Sequence, residues 1–123
     1  NYIYPHCFFT VLSLCSQTIT GFELIDAATE TDIGALSDDS TIDLAITGSE
    51  LNVRAEVSGS EGSIRFSYDN NPNFQTENIA PYAFAGDTNG DYASWTPQIG
   101  EHTITATAYA AANAMGGELK KSH

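Results

Sequence analysis

Four segments between Ser40 and Tyr109 alternate apolar and polar residues with a period of two. In "LNVRAEV", Leu51, Val53, Ala55 and Val57 fall on one side, and Asn52, Arg54 and Glu56 on the other. "SIRFSY" sets Ile64, Phe66 and Tyr68 against Arg65 and Ser67, and "STIDLAI" groups Ile42, Leu44 and Ile46. "HTITATAY" sets Ile104, Ala106 and Ala108 against Thr103, Thr105 and Thr107. A strand turns successive side chains to opposite faces, whereas a helix repeats every 3.6 residues. These segments therefore predict half-buried antiparallel strands. "ITGFELID" adds a first strand, rich in β-branched and aromatic residues. The clusters "SDDS", "TGSE", "SGSEG", "DNNPN" and "GDTNGD" separate the strands as turns. "ELIDAATETDIGAL" comes nearest to a helix, but its apolar residues hold no helical face. The class is all-β, most simply a two-sheet antiparallel sandwich.

A chain of 123 residues, 41% of them hydrophobic, fits one domain with a real core and is not compositionally disordered. Sixteen acidic residues against four basic ones give a formal net charge of −12. Such a surface repels nucleic-acid phosphates and anionic lipid, which excludes nucleic acid as a partner. Residues 1–17 read as a leader, 18–115 as the sandwich and 116–123 as a polar tail.

"FFTVLSLC" followed by Ser16 and Gln17 has the shape of a secretory apolar region, yet "NYIYPH" before it carries no Lys or Arg. The run is too short to span a bilayer, so no membrane insertion of the domain is expected. The same run also reads as an additional strand, with Phe8, Thr10, Leu12 and Leu14 on one face. Cys7 and Cys15 both lie here. On one continuous strand they would stand roughly 26 Å apart, too far to bridge without a hairpin. No cysteine follows Cys15, so the sandwich does not depend on disulfides.

Beyond the period, "SIRFSYDNN" and "TENIAPYAFAGDTNGDYASWTPQIGEHTITATAYAAAN" carry a more specific pattern. Ala80, Pro81, Tyr82 and Phe84 are followed by Trp95, then by Gly100, His102, Thr103, Ile104, Thr105, Ala106, Ala108 and Tyr109. This resembles the bacterial immunoglobulin-like domains of secreted, modular polysaccharide-degrading enzymes and adhesins, over Thr20 to about Asn113. The resemblance implies an immunoglobulin-like sandwich, extracellular or at the cell surface. It implies a non-catalytic structural or spacer module, adhesive in some settings, whose partners are neighbouring domains or identical subunits. Members of that family continue into a last strand of alternating Thr and aliphatic residues. Here "MGGELKKSH" follows instead, with Leu119 the one large apolar residue after Met115. The expectation is a final strand missing or replaced. The chain is then truncated, filled by its own "IYPHCFFTVLSL", or filled by a neighbour's strand to build a filament.

Candidate sites are few. Asp87, Asn89 and Asp91 match the first three side-chain positions of a calcium loop, but Gly90 follows at the fourth place and Gln98 stands where the bidentate Glu belongs. The competing reading is a polar turn whose side chains bond their own backbone; calcium is the one cofactor candidate. Trp95, Tyr92, Phe74 and Tyr68, near Asp69, Asn70, Asn73 and Asp91, are candidates for stacking sugar rings, which makes a polysaccharide a candidate partner and a carbohydrate-binding accessory module the alternative function. The structural alternative makes Trp95 the plug of the core. Pro81 fits a strand start with Tyr82 or Phe84 packed inward. His6, His102 and His123 form no metal-ligand spacing, and His102 reads as a surface strand residue. Ser60 in "SGSEG" lacks the first glycine of a nucleophile elbow, so no enzyme activity is expected.

Overall fold

The computed structural model describes residues 6–13, 19–38, 40–57 and 62–118. Its strands are β1 His6–Ser13, β2 Ile19–Asp26, β3 Thr31–Leu36, β4 Ser40–Asp43, β5 Leu51–Val57, β6 Ser63–Tyr68 and β7 Asn71–Glu77. Then come β8 Asp87–Thr88, β9 Asp91–Tyr92, β10 Gly100–Ala111 and β11 Met115–Glu118, and a single helical turn, α1, spans Leu44–Thr47. The larger sheet runs β4-β1-β10-β6-β7, with β11 also on β10, and the smaller runs β3-β2-β5. The fold is all-β and sandwich-like. Among the described residues no helix is long and apolar enough to cross a membrane.

The period-two pattern explains the core. Ile64, Phe66, Ile104, Ala106 and Ala108 of the larger sheet are fully buried and face Leu51, Val53 and Ala55 of the smaller. Thr103, Thr105 and Thr107, the alternating positions of β10, are only partly buried. Ile104 lies opposite Tyr68, Ala106 opposite Phe66 and Ala108 opposite Ile64. Ala106 and Ala108 on β10 thus meet larger residues on β6, which fills the layer without overpacking. Tyr82 and Phe84 close the core from the side, and both are buried. They belong to no named strand. Instead the chain there runs along the edge of β5, with Ala55 N–H donating to Tyr82 O at 2.9 Å and Phe84 N–H to Val53 O at 2.7 Å.

Several expectations need correction. Alternation in "STIDLAI" stops at Asp43, because the Asp43 carboxylate accepts a bond from Ala45 N at 3.0 Å and caps α1. Gly48, at φ 81, closes that turn by donating to Leu44 O at 2.9 Å. Ile46 is consequently 82% exposed, while Leu44 packs against the core. "ELIDAATETDIGAL", which holds no helical face, indeed forms no helix but the β2–β3 hairpin, whose turn is held by Asp26 accepting from Ala28 N at 2.9 Å and Thr29 N at 3.3 Å. The "DNNPN" turn shrinks to Asp69 and Asn70, and β7 begins at Asn71. Pro72 is tolerated because β7 ends the order of its sheet, where a missing N–H costs least.

The edge of β10 opposite β6 is occupied. β1 pairs with it in parallel, from Cys7 beside Gly100 to Ser13 beside Ala106. On its other side β1 pairs antiparallel with β4, from His6 with Asp43 to Phe9 with Ser40. Further along the same edge, β11 pairs with Tyr109 and Ala111 across a register shift. A parallel strand and a short antiparallel one therefore stand on the edge for which a missing or replaced final strand was expected. The boundary drawn at residue 115 falls inside β11. Leu14, Cys15, Ser60, Leu119 and His123 lie outside the described residues.

Candidate functional site

One end of the sandwich gathers most of the aromatic candidates. Tyr68 ends β6, Phe74 lies on β7, and Trp95 returns to the edge of β5 by exchanging backbone bonds with Leu51 at 2.7 and 3.0 Å. All three converge on buried Phe84. Phe74 stacks on it at 4.6 Å, Trp95 meets it edge-on at 4.9 Å, and Tyr68 edge-on at 5.2 Å. Tyr68 and Trp95 are inclined at 84°, and Tyr68 and Phe74 at 60°. Edge-to-face geometry suits the ring quadrupoles and adds roughly 1 kcal/mol per pair beyond burial. It does not make a flat shelf for a sugar ring. The fourth candidate, Tyr92, sits elsewhere, its hydroxyl 3.3 Å from a guanidinium nitrogen of Arg54.

His102 belongs to the aromatic end, which corrects its reading as a surface residue. Its ring stacks on Tyr68 at 5.3 Å, and its side chain is only 9% exposed. Nε2–H donates to Gln98 O at 2.6 Å, while the Tyr68 hydroxyl and the Asp69 carboxylate each lie 2.9 Å from Nδ1. Asp69 also accepts from Thr103 N at 2.9 Å. The imidazole thus ties together β6, β10 and the loop before β10. Alternation alone could not reveal this, because the loop that covers His102 comes from outside the strand.

The candidate calcium loop is a hairpin. β8 and β9 pair Asp87 with Tyr92 and Thr88 with Asp91, leaving Asn89 and Gly90 as the two turn residues. Both have positive φ, 52° and 90°, the conformation that Asn-Gly supplies in a two-residue turn. The Asp87 carboxylate accepts from Gly90 N at 2.7 Å, so at least one proposed ligand serves the turn itself. Among the described residues no group of three or more His, Cys, Asp or Glu side chains is placed to hold a metal.

Two residues that alternation does not single out organise this region. Asn52, expected to face outward with Arg54 and Glu56, is fully buried. Its Nδ2 donates to Gly86 O at 3.0 Å and Ala93 O at 2.8 Å, and its Oδ1 accepts from Ala85 N at 2.9 Å. The side-chain amide acts as a substitute peptide at the neck of the 85–93 excursion, where the chain leaves β5 and has no strand partner. Glu77, at the end of β7, is the other. Its carboxyl accepts from Gln75 Nε2, and it lines the same cleft as Asp87. Burial foremost, with Asp87 adding to it, pushes Glu77 up to about 7.

Beside the hairpin, Arg54 grips Asp32 through two bonds of 3.0 Å and Glu56 through one of 2.6 Å. The Asp32 bond raises the Arg54 guanidinium further and holds the Asp32 carboxyl below its usual range. Tyr92 N–H donates to Glu30 at 3.0 Å, so the hairpin is fastened to the β2–β3 turn as well. Comparison with family models, curated proteins and solved structures finds no match for the chain.

Proposed function

We propose that the chain is a non-catalytic, immunoglobulin-like structural or spacer module of a secreted or cell-surface assembly. The observation that carries this reading is the packing of Tyr68, Phe74 and Trp95 around Phe84. Rings that a saccharide would need are engaged with one another, Tyr68 against Trp95 at 84° and against Phe74 at 60°, and the polar groups beside them hold loops in place. The acidic surface and the resemblance to modular extracellular domains agree with it. The test is co-sedimentation with cellulose and chitin, and affinity electrophoresis in soluble polysaccharides, each in millimolar calcium and in chelator. The spacer reading expects no retention and the same thermal midpoint under both conditions. Retention that Trp95→Ala abolishes while leaving the fold intact would establish the carbohydrate-binding alternative instead.

A second reading rests on β1. β1 pairs with β10 and β4 along its main chain, and a strand so paired can be supplied by an identical subunit, which would join subunits into a filament.

A further inference from the structure

Glu77 occupies an unusual place for a carboxylate. On the β6–β7 pair it lies opposite Ile64, and Gln75 lies opposite Phe66. Directly paired residues share a face of the sheet, and Ile64 and Phe66 are fully buried. Glu77 and Gln75 are therefore on the core-facing side of an edge strand, the face from which charge is normally kept. Gly86 crosses directly over them. A Cβ there would come within 3.1 Å of Gln75 Nε2 and 3.9 Å of Glu77 Oε2, and its φ of +90° also favours glycine. The next residue, Asp87, lines the same cleft as Glu77 and adds a second carboxyl group to it.

The pair lines a cleft of about 520 Å³ together with Ile79, Ala80, Pro81 and the turn residues Thr88, Asn89 and Gly90. None of these neighbours is cationic. The basic residue adjacent in the ladder, Arg65, lies opposite Thr76 on the other face, with its guanidinium over the Tyr109 ring at 5.7 Å. The groups that face Glu77 are thus Gln75 on its own strand, Ile64 on β6 and Asp87 on β8. Two neighbouring carboxylates without a cation cannot both be ionised at low cost.

We propose that Glu77 and Asp87 share one proton, and that this proton clasps the β8–β9 hairpin onto β7 and lets the cleft open when it leaves. In the closed state the Glu77 O–H donates to the Asp87 carboxylate, which also receives Gly90 N–H. Loss of the proton to solvent leaves two neighbouring anions, while the Asn52 neck and the Arg54 and Glu30 contacts of the hairpin remain. The sign follows from Glu77 being held above its unfolded value of 4.5, at about 7. The clasp's contribution is complete below pH 4.5 and is lost as pH rises through about 7.

Hydrogen exchange on the intact chain at pH 5 and pH 8.5, corrected for intrinsic rates, tests this. Protection of the Gly86, Gly90 and Ala93 amides should fall on the order of tenfold at the higher pH, while Phe66 and Ile104 serve as fixed references. Glu77→Gln should abolish the difference, because an amide N–H donates to Asp87 at either pH. Equal protection at both pH values in the parent chain overturns the proposal. So does a Glu77 carboxyl that titrates near 4.5 by carbon NMR, a measurement that needs no variant.

Discussion

Asn52 shows how much one side chain can carry when it is buried among backbone groups. Val53 N–H also donates to its Oδ1, at 2.7 Å, in addition to the three bonds at the neck of the excursion. Asn52→Ala strands these backbone groups without solvent, at about 1–3 kcal/mol for the worst placed of them. We expect a loss of about 3 kcal/mol in urea unfolding, and a comparable loss for Asn52→Leu despite its similar volume. A change as small as a surface substitution would show that water replaces the amide. Asn52 was illegible in the sequence because period two puts it on the outer face with Arg54 and Glu56. Its burial comes from a segment more than thirty residues later folding over the strand edge. Glu77 was hidden for the same reason: its meaning depends on Gly86 and Asp87, which no local pattern connects to it.

At the scale of an element, β10 tests the alternation most directly. Ile104 is fully buried and Thr105 only partly so, although they are chain neighbours. Ile104→Asp places an unpaired charge in the core and should remove the cooperative transition altogether. Thr105→Asp should keep the fold, within about 1 kcal/mol of the parent. Circular dichroism of the two variants checks this, and similar behaviour would mean the face assignment is wrong. Strands whose inner and outer faces differ in polarity were legible for this reason: β5, β6 and β10 have large or aliphatic residues at every second position. β3 and β7 were not, because "TDIGAL" and "NPNFQTE" lack that contrast. β3 is partly polar on both faces, and β7 turns Gln75 and Glu77 inward. α1 was missed because the cap at Asp43 competes with alternation, and a capped turn satisfies the backbone without a neighbouring strand.

For the whole molecule the decisive contact is that of β1 with β10. Deleting residues 1–16 removes the partner of β10 from Gly100 to Ala106 and of β4 from Ser40 to Asp43. Unpaired backbone and uncovered apolar side chains along a central strand are costly, so the truncated chain should aggregate or lose cooperative unfolding. Light scattering and thermal denaturation report this. A truncated chain that matches the parent would remove β1 from any account of stability. If the parent is oligomeric and deletion costs only the oligomer, the strand is supplied between subunits.

The β1–β10 pairing also has a consequence in time. Cys7 and Gly100 are about ninety residues apart in the chain, yet they are neighbours in the sheet. A ribosome has to deliver β10 before the larger sheet can close. Until then an apolar strand from the start of the chain waits with its backbone unpaired. Folding limited by so distant a contact is slow compared with that of hairpin-built sheets. The interval before β10 emerges is when a neighbouring chain or a chaperone can reach β1 first.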